Sequence, residues 1–279
     1  MDTKLTPGQL FEAGRLNEAI STLSAELRAR PTDLNRRGLL VELLCFDGQL
    51  ERADKQLELM GVQDASSAVG VALFRQLVRA AQARQDFYAQ GRPPELLEAP
   101  SPVLQRHLEA SICLRQGDLA DANRLLREAE AARRPLAGRC DGQSFADFRD
   151  LDDLMAPIME VLTSTGKYFW VPLERIARLE LRPPKRPRDL LWRPALAEVI
   201  SGPEGEVFIP VIYATVDATD EAARLGRVTQ WHGPEDGPTR GTGQKTFLVG
   251  EDSRALLEIG ELELATPDPE AEAAHHAQT

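Results

Sequence analysis

The sequence predicts an α+β protein. An N-terminal antiparallel helical array of tetratricopeptide-like (TPR-like) repeats covers residues 1–135, a mixed, β-rich domain covers 136–264, and a disordered tail covers 265–279. Three observations predict this. "GRLNEA" at Gly14, "GQLERA" at Gly48 and "GDLADA" at Gly117 share the pattern G-x-L-x-x-A, with spacings of 34 (48 − 14) and 69 (117 − 48) residues, one and nearly two periods of the tetratricopeptide repeat. From Lys167 onward the chain changes to short β-favouring runs divided by Pro and Gly clusters. After Leu264 almost no apolar residue remains to pay for ordering.

Each element has a local reason. "TPGQ" supplies Thr6 as N-cap, Pro7 at the first helical position and Gln9 three residues after the cap. Pro31 stops the next helix, and Thr32 or Asp33 can cap the one after it. Leu39, Leu40, Leu43, Leu44 and Phe46 form a helical apolar stripe up to Gly48, and Leu50, Ala53, Leu57 and Met60 continue it on the partner helix. Each repeat glycine is expected at a helix-to-helix turn, where positive φ is needed, and each alanine where two helices pack closely. Residues 68–90 read as one long helix without the glycine signature, and "GRPPELLEAPSP" interrupts the array. Leu104, Leu108, Ile112 and Leu114 then lead to Gly117 and a return helix. Ser144 is expected to cap a further helix through "FADFRDLDDLMAPIMEVL". "YFWV", "RIARLEL", "LAEVI", "EVFIPVIY", "KTFLV" and "LLEIGELEL" read as strands, with "DEAARLG" as an intervening helical stretch.

With 279 residues, 42% apolar and 28% charged, the chain can build proper cores without disulfides. Cys45, Cys113 and Cys140 have neither disulfide nor zinc spacing and read as buried free thiols. No apolar run approaches the roughly 20 residues of a membrane span. The N-terminus lacks the basic start and apolar middle of a signal peptide, so a cytoplasmic protein is expected. A net charge of −11 argues against a nucleic-acid partner. The one basic island, between Glu174 and Arg193, reads as a solvated loop.

Catalytic and cofactor signals fail one by one. "GTGQKT" at Gly241 lacks P-loop spacing, because Gln244 separates Gly243 from Lys245 and a strand follows, so it reads as a turn entering a strand. His107 lies on an apolar helical face, His232 in a loop, and His275 and His276 in the tail, so no metal-ligand spacing arises. The acid pairs Asp152 with Asp153 and Glu261 with Glu263 read as a solvated helix face and the wet side of a strand. Trp170 and Trp231 are expected in the core. The hexapeptide "DLLWRP", Asp189 to Pro194, reads chiefly as a structural corner: Asp189 caps a turn, and Leu190 and Leu191 point inward. Trp192 and Arg193 stand near the domain edge as candidate partner-binding residues.

"LFEAGRLNEAI", "PTDLNRRGLLVELLCFDGQLERADKQLELM", "YFWVPLERIARLELRPPKRPRDLLWRPALAEV", "GEVFIPVIY" and "GTGQKTFLVGED" together resemble the ImpE family, also called SciE-type or TagJ, of type VI secretion accessory proteins. The resemblance implies a non-enzymatic cytoplasmic protein without a cofactor. It would bind the small contractile-sheath subunit through that subunit's N-terminal helix, and act in sheath assembly or recycling, indirectly with the recycling unfoldase. Gly91 to Pro102 departs from a regular repeat. Two other readings are a general helical-repeat scaffold and an enzyme whose site lies in the C-terminal domain.

Overall fold

The computed structural model describes residues 5–214 and 219–265. Seven helices come first: α1 (Pro7–Glu12), α2 (Leu16–Ala29), α3 (Leu34–Phe46), α4 (Leu50–Gln63), α5 (Ala68–Gln90), α6 (Pro102–Gln116) and α7 (Leu119–Ala132). Their boundaries follow local chemistry. Thr6 and Gln9 form a capping box on α1. Asp33 accepts from the Arg36 amide at 3.0 Å, and Ser101 from the Leu104 amide at 3.3 Å. The repeat glycines occupy the turns α1–α2, α3–α4 and α6–α7 with φ of 80°, 71° and 79°. The repeat alanines Ala19, Ala53 and Ala122 are completely buried. The third repeat departs in its leucine: Leu119 is exposed, whereas Leu16 and Leu50 are buried.

Strands β1 (Gly138–Cys140), β2 (Gln143–Phe145), β3 (Phe148–Asp150), β4 (Ile158–Leu162), β5 (Tyr168–Pro172), β6 (Ile176–Leu181), β7 (Trp192–Val199) and β8 (Glu204–Pro210) follow. After them come the short helix α8 (Glu221–Arg224) and strands β9 (Thr229–His232), β10 (Arg240–Gly243), β11 (Thr246–Val249), β12 (Asp252–Ala255) and β13 (Glu261–Leu264). Antiparallel pairing builds an eight-stranded sheet in the order β2-β1-β13-β6-β7-β8-β4-β5, a three-stranded sheet β12-β11-β3 and the hairpin β9-β10. The chain is therefore α+β, helices first. The helix expected from Ser144 does not form: "FADFRDLDDLMAPIMEVL" becomes strands β3 and β4 around a turn. All five residues of β4 are buried, and a short run of that kind, apolar but for Glu160, looks the same in a buried strand as in a buried helix until its neighbours are known. The expected disordered tail lies, from residue 266 onward, outside the described residues.

Helix α5 joins the two halves. Phe74, near its start, meets Trp192 of β7 edge-on, 6.2 Å between ring centroids. Phe87, near its end, meets Trp170 of β5 at 4.7 Å. A single hydrophobic cluster runs from Leu23, Leu44 and Leu77 of the array into Leu173, Leu179 and Phe247 of the sheets.

The second tie is a strap around α8. Glu221 accepts from the Leu16 and Asn17 amides at 3.1 Å each, capping the N-terminus of α2. Arg224 pairs with Asp47 at the end of α3. Arg227 donates to the Phe11 and Glu12 carbonyls at 2.6 and 2.7 Å, closing the C-terminus of α1. A Cβ at Gly14 would stand 3.3 Å from the Arg227 guanidinium, so this turn glycine also leaves room for the strap.

Candidate functional site

Beneath the junction lies a buried ion cluster drawn from five elements. Glu160 on β4 is 1% exposed. It accepts from Arg84 of α5 at 2.8 Å (Nε to Oε1) and 2.6 Å (Nη2 to Oε2). The Tyr168 hydroxyl donates to it at 2.6 Å and the Tyr88 hydroxyl at 3.1 Å. Lys245, between β10 and β11, is 1% exposed and places Nζ 3.1 Å from both Glu160 and Asp150. Asp150 also accepts from the Tyr213 hydroxyl at 2.6 Å. Asp152 accepts from Arg240 Nε at 2.8 Å and from the Gly241 and Leu154 amides. Three carboxylates thus face three cations. Burial alone would raise the Glu160 carboxyl, but Arg84 and Lys245 outweigh it and hold Glu160 well below the usual carboxylate range. Burial would depress Lys245, and Asp150 with Glu160 reverses that, so its ammonium stays charged. Every carboxylate here is satisfied by cations and N–H or O–H donors, so the cluster fastens α5 to the sheet and leaves no free base.

Two clefts flank it. The first, about 410 Å³, lies between the α3–α4 turn, α5 and the strap; Phe46, Leu50, Leu191, Trp192 and Ile212 give it apolar walls, and Asp47, Gln85 and Arg224 a polar rim. The second, about 540 Å³, lies between the last turns of α5 and α6 and strand β10. Among the described residues no group of three His, Cys, Asp or Glu side chains is placed to hold a metal ion, and no helix is long and apolar enough to cross a membrane.

The sequence profile described as "ImpE protein" matches residues 142–263, the part that carries most of this cluster. A Pseudomonas aeruginosa protein named "Type VI secretion system accessory component TagJ" is 31% identical over 261 residues, 93% of this chain and 91% of that one. The chain belongs to the ImpE/TagJ family. A crystal structure of a Vibrio parahaemolyticus protein superposes with a TM-score of 0.88 at 29% identity, covering 94% of this chain and 98% of that chain, so the two proteins share their fold over both halves.

In this ImpE chain the sequence-predicted residues have definite places. Trp192 and Arg193 do not stand at an edge, since β7 is hydrogen-bonded on both sides, to β6 and β8, and each residue is 4% exposed. Trp192 lines the first cleft from within the core. Arg193 lies outside it and donates to four carbonyls, those of Leu181, Arg182, Leu256 and Ile259, which pins the start of β7 to neighbouring turns. Asp189, buried, accepts from the Lys185 and Arg186 amides and forms the expected turn. The basic island is largely paired: Arg175 with Glu98, Arg178 with Glu261, Arg182 with Glu206 and Arg186 with Asp189, while Arg188 stacks 4.5 Å over the Phe74 ring.

The reading of "GTGQKT" as a turn entering a strand is corrected: residues 241–243 already belong to β10, only Gln244 and Lys245 link it to β11, and Lys245 is the centre of the ion cluster. The reading of Asp152 as a solvated helix face is overturned, because Asp152 is fully buried against Arg240. Trp170 is buried, whereas Trp231 is 41% exposed and, among the described residues, meets only Tyr213 edge-on among aromatic rings; three of the four residues of β9 are exposed. Cys45 and Cys140 are buried and Cys113 half-buried, all free. Glu160 and Arg84 escaped sequence reading, the one inside an apolar run and the other inside an amphipathic helix; the only available signal was a charge at a core-facing position.

His107 on α6 is 2% exposed and its Nδ1–H donates to the Leu154 carbonyl at 2.8 Å. Burial lowers its pKa from 6.5 to about 4, the Leu154 hydrogen bond opposing only in part. Because the folded value is depressed, stability is full above about pH 6.5 and falls as the pH drops toward 4, where the unfolded chain takes up a proton the native state refuses; the loss over that window is about 3 kcal/mol. Urea unfolding at pH 7.5 and pH 4.5 is expected to lose this increment in the wild type and much of that loss is expected to vanish in His107→Gln. An unchanged pH slope in the variant would remove the assignment.

Proposed function

We propose that this chain is a non-enzymatic, cytoplasmic adaptor of the bacterial type VI secretion system. It holds the small subunit of the contractile sheath by that subunit's N-terminal helix and acts in sheath assembly or recycling, reaching the recycling unfoldase only through the sheath. The observation that carries this is kinship across nearly the whole chain with a type VI secretion accessory component. The geometry supports an adaptor: the first cleft offers apolar walls with a polar rim between helical hairpins and sheet, the kind of groove that receives the apolar stripe of an amphipathic helix. Full pairing of the buried carboxylates supports binding over catalysis, since a general base needs an unsaturated acceptor within reach of substrate.

Titrating the full chain with a synthetic peptide of the sheath subunit's N-terminal helix, followed by intact-mass analysis of both partners, tests the proposal. Saturable binding with unchanged masses is expected. Absence of binding removes the partner, and a mass change on either component removes the adaptor reading.

A further inference from the structure

The second cleft has a chemistry of its own. Its apolar wall is Phe87, Tyr88, Leu114 and Leu154, and its polar wall Arg115, Arg240 and Thr242. Arg240 spends only Nε on Asp152; its two Nη groups make no hydrogen bond among the described residues. Arg115 forms no ion pair among the described residues; its Nη1 makes long contacts of 3.4 Å to the Phe87 carbonyl and 3.3 Å to Ser111 Oγ, and the guanidinium lies 5.7 Å from the centre of the Phe87 ring. A Cβ at Gly91, which has φ of 80°, would come within 2.8 Å of this guanidinium, so the glycine both ends α5 and makes room for the cation. Thr242 is 7% exposed, and its hydroxyl has no hydrogen-bond partner among the described residues. His232 stands at the rim, and among the described residues no carboxylate lines the cleft. A donor-rich, acceptor-poor hollow in a chain of net charge −11 is a place prepared for an anion.

The surroundings select which anion. The helix ends bordering the cleft are the C-termini of α5 and α6, whose dipoles carry about half a negative charge each and oppose a dianion twice as strongly as a monoanion. Guanidinium forks suit a planar carboxylate, and the adjoining aromatic wall suits an apolar neighbour in the same ligand. We infer that this cleft is a carboxylate-receiving site for a peptide segment in which an acidic side chain sits beside apolar ones, with Arg115, the free face of Arg240 and Thr242 as its donors. The inference stands independently of which protein carries the segment.

The test uses the isotopically labelled full chain, followed by amide and arginine Nε–H NMR resonances. It is titrated with acetyl-Leu-Glu-Leu-amide, its Gln counterpart and inorganic phosphate. Shifts confined to Arg115, Arg240, Gly241, Thr242 and their neighbours are expected with the Glu peptide, at least about tenfold weaker affinity with the Gln peptide, and weakening by added salt. Arg240→Gln would strand Asp152 and unfold the region, so Arg115→Gln and Thr242→Val are the informative variants. Each is expected to weaken the Glu peptide several-fold, and Arg115→Lys to recover part of the loss. No binding, equal binding of the Gln peptide, shifts elsewhere, or displacement by phosphate at equal concentration would each overturn the inference.

Discussion

Glu160→Ala is expected to lower the unfolding free energy by about 3–5 kcal/mol, because removing one member of a buried ion cluster leaves the others uncompensated in low dielectric. Arg84 and Lys245, 12% and 1% exposed at the side chain, would lose their shared acceptor, and the Tyr168 and Tyr88 hydroxyls theirs. The loss should appear in both halves at once, since Arg84 belongs to α5 and Glu160 to β4. Helical circular dichroism and tryptophan fluorescence are therefore expected to share one shifted urea midpoint. Two separated transitions would show that the cluster does not fasten the halves. Replacing Arg84 and Glu160 together by Met and Leu should recover much of the loss, because matched apolar groups remove the desolvation cost together with the attraction, while Lys245 keeps Asp150 as its partner.

Trp192→Ala is expected to cost about 3–5 kcal/mol as well, through a cavity that its neighbours fill only in part. The side chain lies in the middle of the eight-stranded sheet, opposite Pro210 on β8, against Phe74, whose ring also carries Arg188. Trp192→Phe should recover a good part of the stability. Thermal unfolding of the two variants checks this, and the sheath-helix peptide titration on Trp192→Phe separates packing from contact. A folded variant with weakened peptide binding would place the indole in the partner interface; a folded variant with unchanged binding would leave it as core alone.

The array was legible because its signals are local. Glycine at a positive-φ turn, alanine at a close helix crossing, and Thr6 and Asp33 at helix starts each act within a few residues, and each stands where the sequence places it. Long α5 was legible too, since its apolar period persists over 23 residues. What failed depended on distant partners. "IMEVL" of β4 becomes a strand through neighbours at Tyr168–Pro172 and Phe208, and a five-residue, mostly apolar run does not carry that information. Glu160, Arg84 and Lys245 are separated by 76 and 85 positions (160 − 84 and 245 − 160), and composition alone assigns charged residues to the surface. Trp192 and Arg193 were placed at an edge because prolines precede them, yet the prolines shape only the entry into a central strand.

The strap around α8 sets the order in which the molecule can be finished during synthesis. Glu221 and Arg227 complete helix ends 205 to 216 residues earlier in the chain. At elongation rates of roughly 5–20 residues per second, helices α1 and α2 leave the ribosome about 10–40 s before their closing groups exist. Until then α1 and α2 carry open termini and an apolar flank awaiting cover. Helices α1 and α2 are thus made long before they are locked, and a nascent chain stalled before residue 220 is the form in which they would be most open to chaperones and proteases.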